Sequence, residues 1–138
     1  MRGYNVIAVF SPDRRTMLMC KRTKEPYKGL YNFVGGKIEQ GENGLDAAYR
    51  ELHEETGIDK TDIRLVHLMN FTYPLCGEYI EVYAGRLKRE VMLREEKNPL
   101  LWIDTDKNFF DMSIFAGEGN IGHIMEHIKM HKTEIFDE

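Results

Sequence analysis

The stretch from Gly36 to Ile58, GKIEQGENGLDAAYRELHEETGI, restricts what this chain can become more than any other part of it. Asn43 is suited to cap a helix and Gly57 to stop one in the left-handed conformation, so the spacing predicts a helix over residues 44–56. On that helix Leu45, Ala48 and Leu52 fall at i, i+3 and i+7 and are expected to form the buried stripe. Glu51, Glu54 and Glu55 share a second face, and Arg50 stands four residues before Glu54, close enough to hold its carboxylate. Clustered carboxylates repel one another unless positive charge sits among them. A hard divalent cation with oxygen ligands is one solution. A solvated charged face is the ordinary alternative.

The remaining composition sets few further limits. The 138 residues suit one domain, taken here as residues 1–138. A hydrophobic fraction of 42% and a charged fraction of 30% are those of a soluble globular protein. The net charge of −4 leaves no basic footprint for duplex nucleic acid, so anion handling calls for a metal or a local basic cluster. Cys20 and Cys76 lack zinc-type spacing and are expected to be reduced, semi-buried thiols. The apolar run Val6 to Phe10 is shorter than a signal h-region, and no stretch approaches a membrane span. The expectation is a cytoplasmic protein, off the membrane, as a monomer or homodimer.

Patterning predicts strands over residues 5–11, buried on both faces, and 17–22, returning as a hairpin through Ser11-Pro12-Asp13. A basic loop over residues 23–30 leads to a short strand, Tyr31 to Val34, that runs into Gly35-Gly36. Further strands are expected over 63–73, 78–87 and 100–103, the last a short core strand. Residues 88–98 are ambiguous between strand with loop and helical turn. A terminal helix over 121–131 places apolar residues at 121, 124, 125 and 128. Strands outnumber helices, which favours an α/β layered sandwich with a mixed sheet.

The segment from Gly36 also carries a longer pattern. Gly, five residues, Glu, seven residues, Arg-Glu, an apolar residue, any residue, Glu-Glu, any residue, Gly and an apolar residue are filled by Gly36, Glu42, Arg50, Glu51, Leu52, Glu54, Glu55, Gly57 and Ile58. This is the Nudix box, and the chain resembles the Nudix hydrolase family, in particular its MutT-like members. The resemblance implies an α/β/α sandwich with a mixed sheet that hydrolyses a nucleoside diphosphate linked to another group, with Mg²⁺ or Mn²⁺. By position it implies Glu51, Glu54 and Glu55 as metal ligands, joined by the Gly36 carbonyl. Glu42 becomes an auxiliary metal carboxylate oriented by Arg50. The general base varies within the family, and Glu54 is the choice here. Glu95 and Glu96 resemble the position of a further metal-bound or basic glutamate, with a charged surface turn as the competing reading.

Substrate hints are weaker. Asn32 resembles the asparagine that contacts the purine in some mammalian oxidised-purine triphosphatases, though it also reads as a turn residue. Lys24, Lys28 and Lys37 are candidates for phosphate contact. Tyr31, Phe33 and Phe115 can stack a base or simply pack the core. Tyr73 and Pro74 both fall in the region that sorts Nudix subfamilies, so that signal points two ways, to ADP-ribose and to dinucleoside polyphosphates. The leading expectation is a (deoxy)nucleoside triphosphate, with oxidised purine nucleotides included. The alternatives are ADP-ribose, nucleotide-sugar or dinucleoside polyphosphate hydrolysis, or a non-catalytic nucleotide sensor.

Two other motifs compete. Residues 117–122 spell G-x-G-x-x-G, but a dinucleotide fingerprint must open a βαβ unit. Sixteen residues follow Gly122, so the expectation is a loop and helix start that lines the nucleotide pocket through Glu118 or Asn120. His123 and His127 match the H-x-x-E-H zinc motif. Zinc chemistry takes a third protein ligand, and the two histidines are expected on the polar side of the last helix.

Overall fold

In the computed structural model, which describes residues 1–136, the sheet is organised around its first strand. Strand β1 (Arg2–Phe10) runs parallel to β6 (Glu78–Arg86) over its whole length, from Arg2 beside Glu78 to Phe10 beside Arg86. β5 (Val66–Tyr73) pairs antiparallel with β6, with a bulge between His67 and Met69. On its other edge β1 meets three partners in turn. β2 (Thr16–Lys21) pairs with it at the hairpin end, Phe10 beside Met17. Val34 then bridges Ile7, and β4 (Lys37–Ile38) pairs with Gly3 and Tyr4. β2 pairs along its length with β7 (Leu100–Asp104) and with β3 (Tyr31–Asn32). β1 and β2 therefore splay, and the segment from Tyr31 to Ile38 enters the gap between them.

Period-2 alternation divides β1 between two cores. Ile7 and Val9 face helix α1 (Gly44–Thr56) with Leu18, Val34, Ala48 and Leu52. Ala8 and Phe10 face the other way, toward α2 (Asn120–Met130) and α3 (Lys132–Phe136), with Met17, Met19, Ile124 and Ile128. The result is the expected three-layer α/β/α sandwich with a mixed sheet. Among the described residues no helix is long and apolar enough to cross a membrane.

Helix α1 has the predicted bounds because both ends are fixed locally. The Asn43 side chain accepts the N–H groups of Leu45 (2.9 Å) and Asp46 (3.3 Å). Gly57 is left-handed at φ 81° and its N–H bonds the His53 carbonyl. The buried stripe differs from expectation. Ala47, Ala48, Leu52 and Thr56 are buried, whereas Leu45 is 40% exposed. Leu45 lines an open cleft with Leu65, His67, Glu81 and Tyr83.

Other expectations are corrected by sheet position. The strand at 100–104 is an edge strand whose Trp102 is exposed, because among the described residues it pairs only with β2. Residues 88–98 form neither strand nor helix. This loop closes over the end of α1, with the Arg94 N–H on the Thr56 carbonyl at 2.9 Å. The terminal helix is followed by α3, whose Phe136 packs edge-on against Phe10. Cys20 is buried and Cys76 exposed, so neither is semi-buried, and both are free. Leu52→Ala is expected to cost about 2–5 kcal/mol and Leu45→Ala less than about 1 kcal/mol, checked by urea unfolding of both variants.

Candidate metal and nucleotide site

Arg50 collects Glu42, which precedes α1, together with Glu51 and Glu54 on the helix. Its Nε and Nη2 donate to the two oxygens of Glu42 at 2.7 and 2.9 Å, a bidentate pair. Its Nη1 donates to Glu51 at 2.9 Å and Glu54 at 3.2 Å, and Nη2 also reaches the Lys37 carbonyl at 3.0 Å. Hydrogen bonding to Arg50 holds the Glu42 carboxyl down at about 2. Glu54 projects furthest into solvent of the three, and Glu51 is the most enclosed of them.

The Gly35-Gly36 turn lies against these side chains because it carries none of its own. A Cβ on Gly36 would collide with the Glu51 carboxylate, and one on Gly35 with the Asn5 carbonyl. Asn5 is buried, and it donates its N–H to the Gly36 carbonyl (2.8 Å) and accepts the Gly36 N–H on its side chain (2.9 Å). Among the described residues its Nδ2 is buried without a partner, a state that typically costs about 1–3 kcal/mol.

Glu55 lies deeper than Glu54. Burial raises its carboxyl to about 7, helped by the charges of Glu51 and Glu96 and opposed by the Gly35 N–H and Lys97. Burial also raises Glu51, against the pull of Arg50. These are hard oxygen donors short of positive charge, which fits a divalent cation held by Glu51, Glu54, Glu55 and the second lone pair of the Gly36 carbonyl. In the present rotamers, among the described residues, no three His, Cys, Asp or Glu side chains already converge on one point. Arg50 draws Glu51 and Glu54 toward itself, so taking up a cation requires those carboxylates to turn.

On the opposite face of the sheet is a cavity of about 470 Å³. Val6, Phe33, Phe71, Ile80 and Ile124 give it apolar walls, and Asn32, Tyr73, Glu118 and Asn120 supply polar groups. The Asn32 Oδ1 accepts the Phe33 N–H at 2.8 Å, which leaves its Nδ2 for another partner. Asn32 thus makes a local turn bond and also lines the cavity. Asn120 donates to the Tyr73 hydroxyl at 2.7 Å, and Tyr27 donates to Glu118 at 3.1 Å across the rim. Tyr31 and Phe115 pack against each other, and Phe115 lies in the core. Asn32 and Phe33 line the cavity, while Gly35 and Gly36 touch the glutamates, so the inserted segment joins the two halves.

Other predicted residues lie further out. The Lys37 side chain is exposed, as are Lys24 and Lys28. Glu95 is exposed and accepts the Leu100 N–H at 2.8 Å, while Glu96 brings its charge to Glu55. On α2, His123 is exposed and stands edge-on to Phe110, and His127 stacks on His131. Asn5, Tyr27 and Lys97 escaped the sequence reading. Only Asn5 left a trace, as a polar residue in register with the inward-facing Ile7 and Val9.

The NUDIX domain family model matches residues 1–115, box and cavity strands included. The chain belongs to the Nudix family. Within that family, the RNA pyrophosphohydrolase of Campylobacter jejuni subsp. doylei is 26% identical over 103 residues, 72% of this chain and 66% of the relative. The oxidized purine nucleoside triphosphate hydrolase of Mus musculus is 33% identical over 82 residues, 59% of this chain and 51% of the relative. The chain thus matches about two thirds or less of the length of these curated relatives. A solved MutT structure, from work on Aliivibrio salmonicida and Vibrio cholerae, superposes with a TM-score of 0.71 over 94% of this chain and 98% of the other. At 21% identity that likeness shows the MutT-like fold. Nudix hydrolases generally use divalent metal ions, in keeping with the donor set on α1.

The Glu55 shift sets a pH dependence. A folded value of about 7 above an ordinary 4.5 means that the folded protein holds a proton the unfolded chain releases. That stability is present below 4.5 and is lost as pH rises through 7. In EDTA, the thermal midpoint is expected to fall by roughly 5 °C between about pH 5 and pH 8. Glu55→Gln is expected to flatten that slope, as measured by differential scanning calorimetry.

Proposed function

We propose that this Nudix protein is a divalent-cation-dependent pyrophosphohydrolase that cleaves (deoxy)nucleoside triphosphates, oxidised purine nucleotides among them, to a nucleoside monophosphate and pyrophosphate. The observation that carries the reading is the inserted segment from Tyr31 to Ile38. One end of it lines a cavity of about 470 Å³ and the other supports the Glu51 and Glu55 carboxylates. A nucleotide needs two such environments linked, one apolar for its base and one cationic for its phosphates.

Each group has a task in this reading. Glu51, Glu54, Glu55 and the Gly36 carbonyl would hold Mg²⁺ or Mn²⁺, which when bound would polarise phosphoryl oxygens and acidify water. Arg50 keeps Glu42 and Glu51 in place. Glu54, half-exposed at the solvent edge, accepts the proton of the attacking water. Glu96 adds negative charge beside Glu55, and Lys97 offsets part of it. Phe33, Asn32 and Asn120 lie against the base and sugar, with the free Asn32 Nδ2 and Asn120 Oδ1 available to polar edges. Lys37 lies at the phosphate side. The mouse relative, which acts on oxidised purine nucleoside triphosphates, supports this substrate class.

A second reading keeps the chemistry and moves the substrate to ADP-ribose, a nucleotide sugar or a dinucleoside polyphosphate. Tyr73 and its hydrogen bond to Asn120 in the cavity wall favour that group. A panel of nucleoside triphosphates, ADP-ribose and diadenosine polyphosphates in Mg²⁺, with products separated by chromatography, distinguishes them. Pyrophosphate and a monophosphate from a triphosphate are expected, and turnover of ADP-ribose alone sinks the first reading. Glu54→Gln is expected to lower kcat by at least about a hundredfold. A loss smaller than about tenfold removes Glu54 from the role of base.

A further inference from the structure

Asn5 occupies a place in β1 that packing alone does not explain. Its neighbours on the α1 face, Ile7 and Val9, are apolar and fully buried, and Asn5 itself is 2% exposed. Bonds from Asn5 take both main-chain groups of Gly36: its N–H donates to the carbonyl and its Oδ1 accepts the N–H. Gly36 in turn has no room for a Cβ because the Glu51 carboxylate lies against it. Strand, turn and helix are therefore stacked as Asn5, Gly36 and Glu51. The amide nonetheless leaves its Nδ2 buried with no partner among the described residues. Leucine has nearly the same shape, would continue the apolar face and would remove that orphaned donor. It would also leave the Gly36 N–H without its acceptor, so the amide serves the Gly36 turn rather than the packing of β1.

We propose that Asn5 is a positioning residue for the cation site, fixing the Gly36 peptide so that its carbonyl and the Glu51 carboxylate are presented together. The proposal rests on the reading of Glu51, Glu54 and Glu55 as cation ligands. Groups that orient metal ligands from behind typically change affinity by about 10–100-fold when removed. The amide oxygen, rather than the shape of the side chain, carries the effect, because the oxygen grips the turn. The adjacent carboxylate on the neighbouring strand, Glu81, is engaged by the Tyr83 hydroxyl at 2.6 Å.

The test is Mn²⁺ binding to the intact protein without nucleotide, read from the free-Mn²⁺ signal in electron paramagnetic resonance, beside the thermal midpoint. Asn5→Leu is expected to melt within a few degrees of wild type and to bind Mn²⁺ at least about tenfold more weakly. Asn5→Asp, which keeps an acceptor for the Gly36 N–H, is expected to stay within about threefold of wild type. If Asn5→Leu does not fold, Asn5→Thr replaces it. Its hydroxyl is too short to reach Gly36, and the same tenfold loss is expected. A folded leucine or threonine variant that binds Mn²⁺ as wild type does would overturn the proposal. Glu55→Gln in the same assay separates the two levels: unchanged Mn²⁺ affinity there means that the ligand assignment itself has failed.

Discussion

The fork of Arg50 is the interaction on which the candidate site depends. Without it, Glu42, Glu51 and Glu54 would present three carboxylates to one another across a few ångströms. With it, each has a charge-assisted bond to the same guanidinium, whose Nη2 also donates to the Lys37 carbonyl. A lysine could not do this, since its ammonium is a point charge rather than a planar fork. Arg50 gathers Glu42, Glu51 and Glu54 but leaves Glu55 out, and Glu55 is the group whose buried charge most lacks compensation. The face is thus partly neutralised and partly unsatisfied, which fits the proposed cation site.

The second constraint is the splay between β1 and β2. A hairpin paired along its length would leave no place for another chain segment. Here pairing stops after Phe10 and Met17, and the segment from Tyr31 to Ile38 takes over the freed edges of both strands. Its side chains enter the cavity at one end, and its glycines approach the helix at the other. Gly35 and Gly36 are required by contact: each lacks space for a single carbon against Asn5 or Glu51.

Where expectation and structure part, the cause is the distance over which the deciding contact acts. Leu45 has the right helical phase for burial, but it borders an open cleft between the first turn of α1 and the β6 residues Glu81 and Tyr83. The run from Leu100 to Ile103 is as apolar as a core strand, yet it lies at an edge with Trp102 exposed. Residues 88–98 carry no periodicity because their order comes from closing over the end of α1, a contact made by Arg94 with Thr56. The Tyr27 and Glu118 side chains meet across the cavity rim from positions 91 residues apart, which no local pattern announces.

The sequence by itself determined helix α1, its caps and the order of its charges, because capping and helical phase are decided within a few residues. It also determined the alternation of β1 between two cores and, through the filled box, the family. Tertiary structure alone decided that β1 and β2 diverge, that the cavity opens on the face opposite the glutamates, and that Asn5 grips Gly36. Each of these turns on pairing or packing between residues distant in the chain, where propensity and periodicity carry no information about which partner is met.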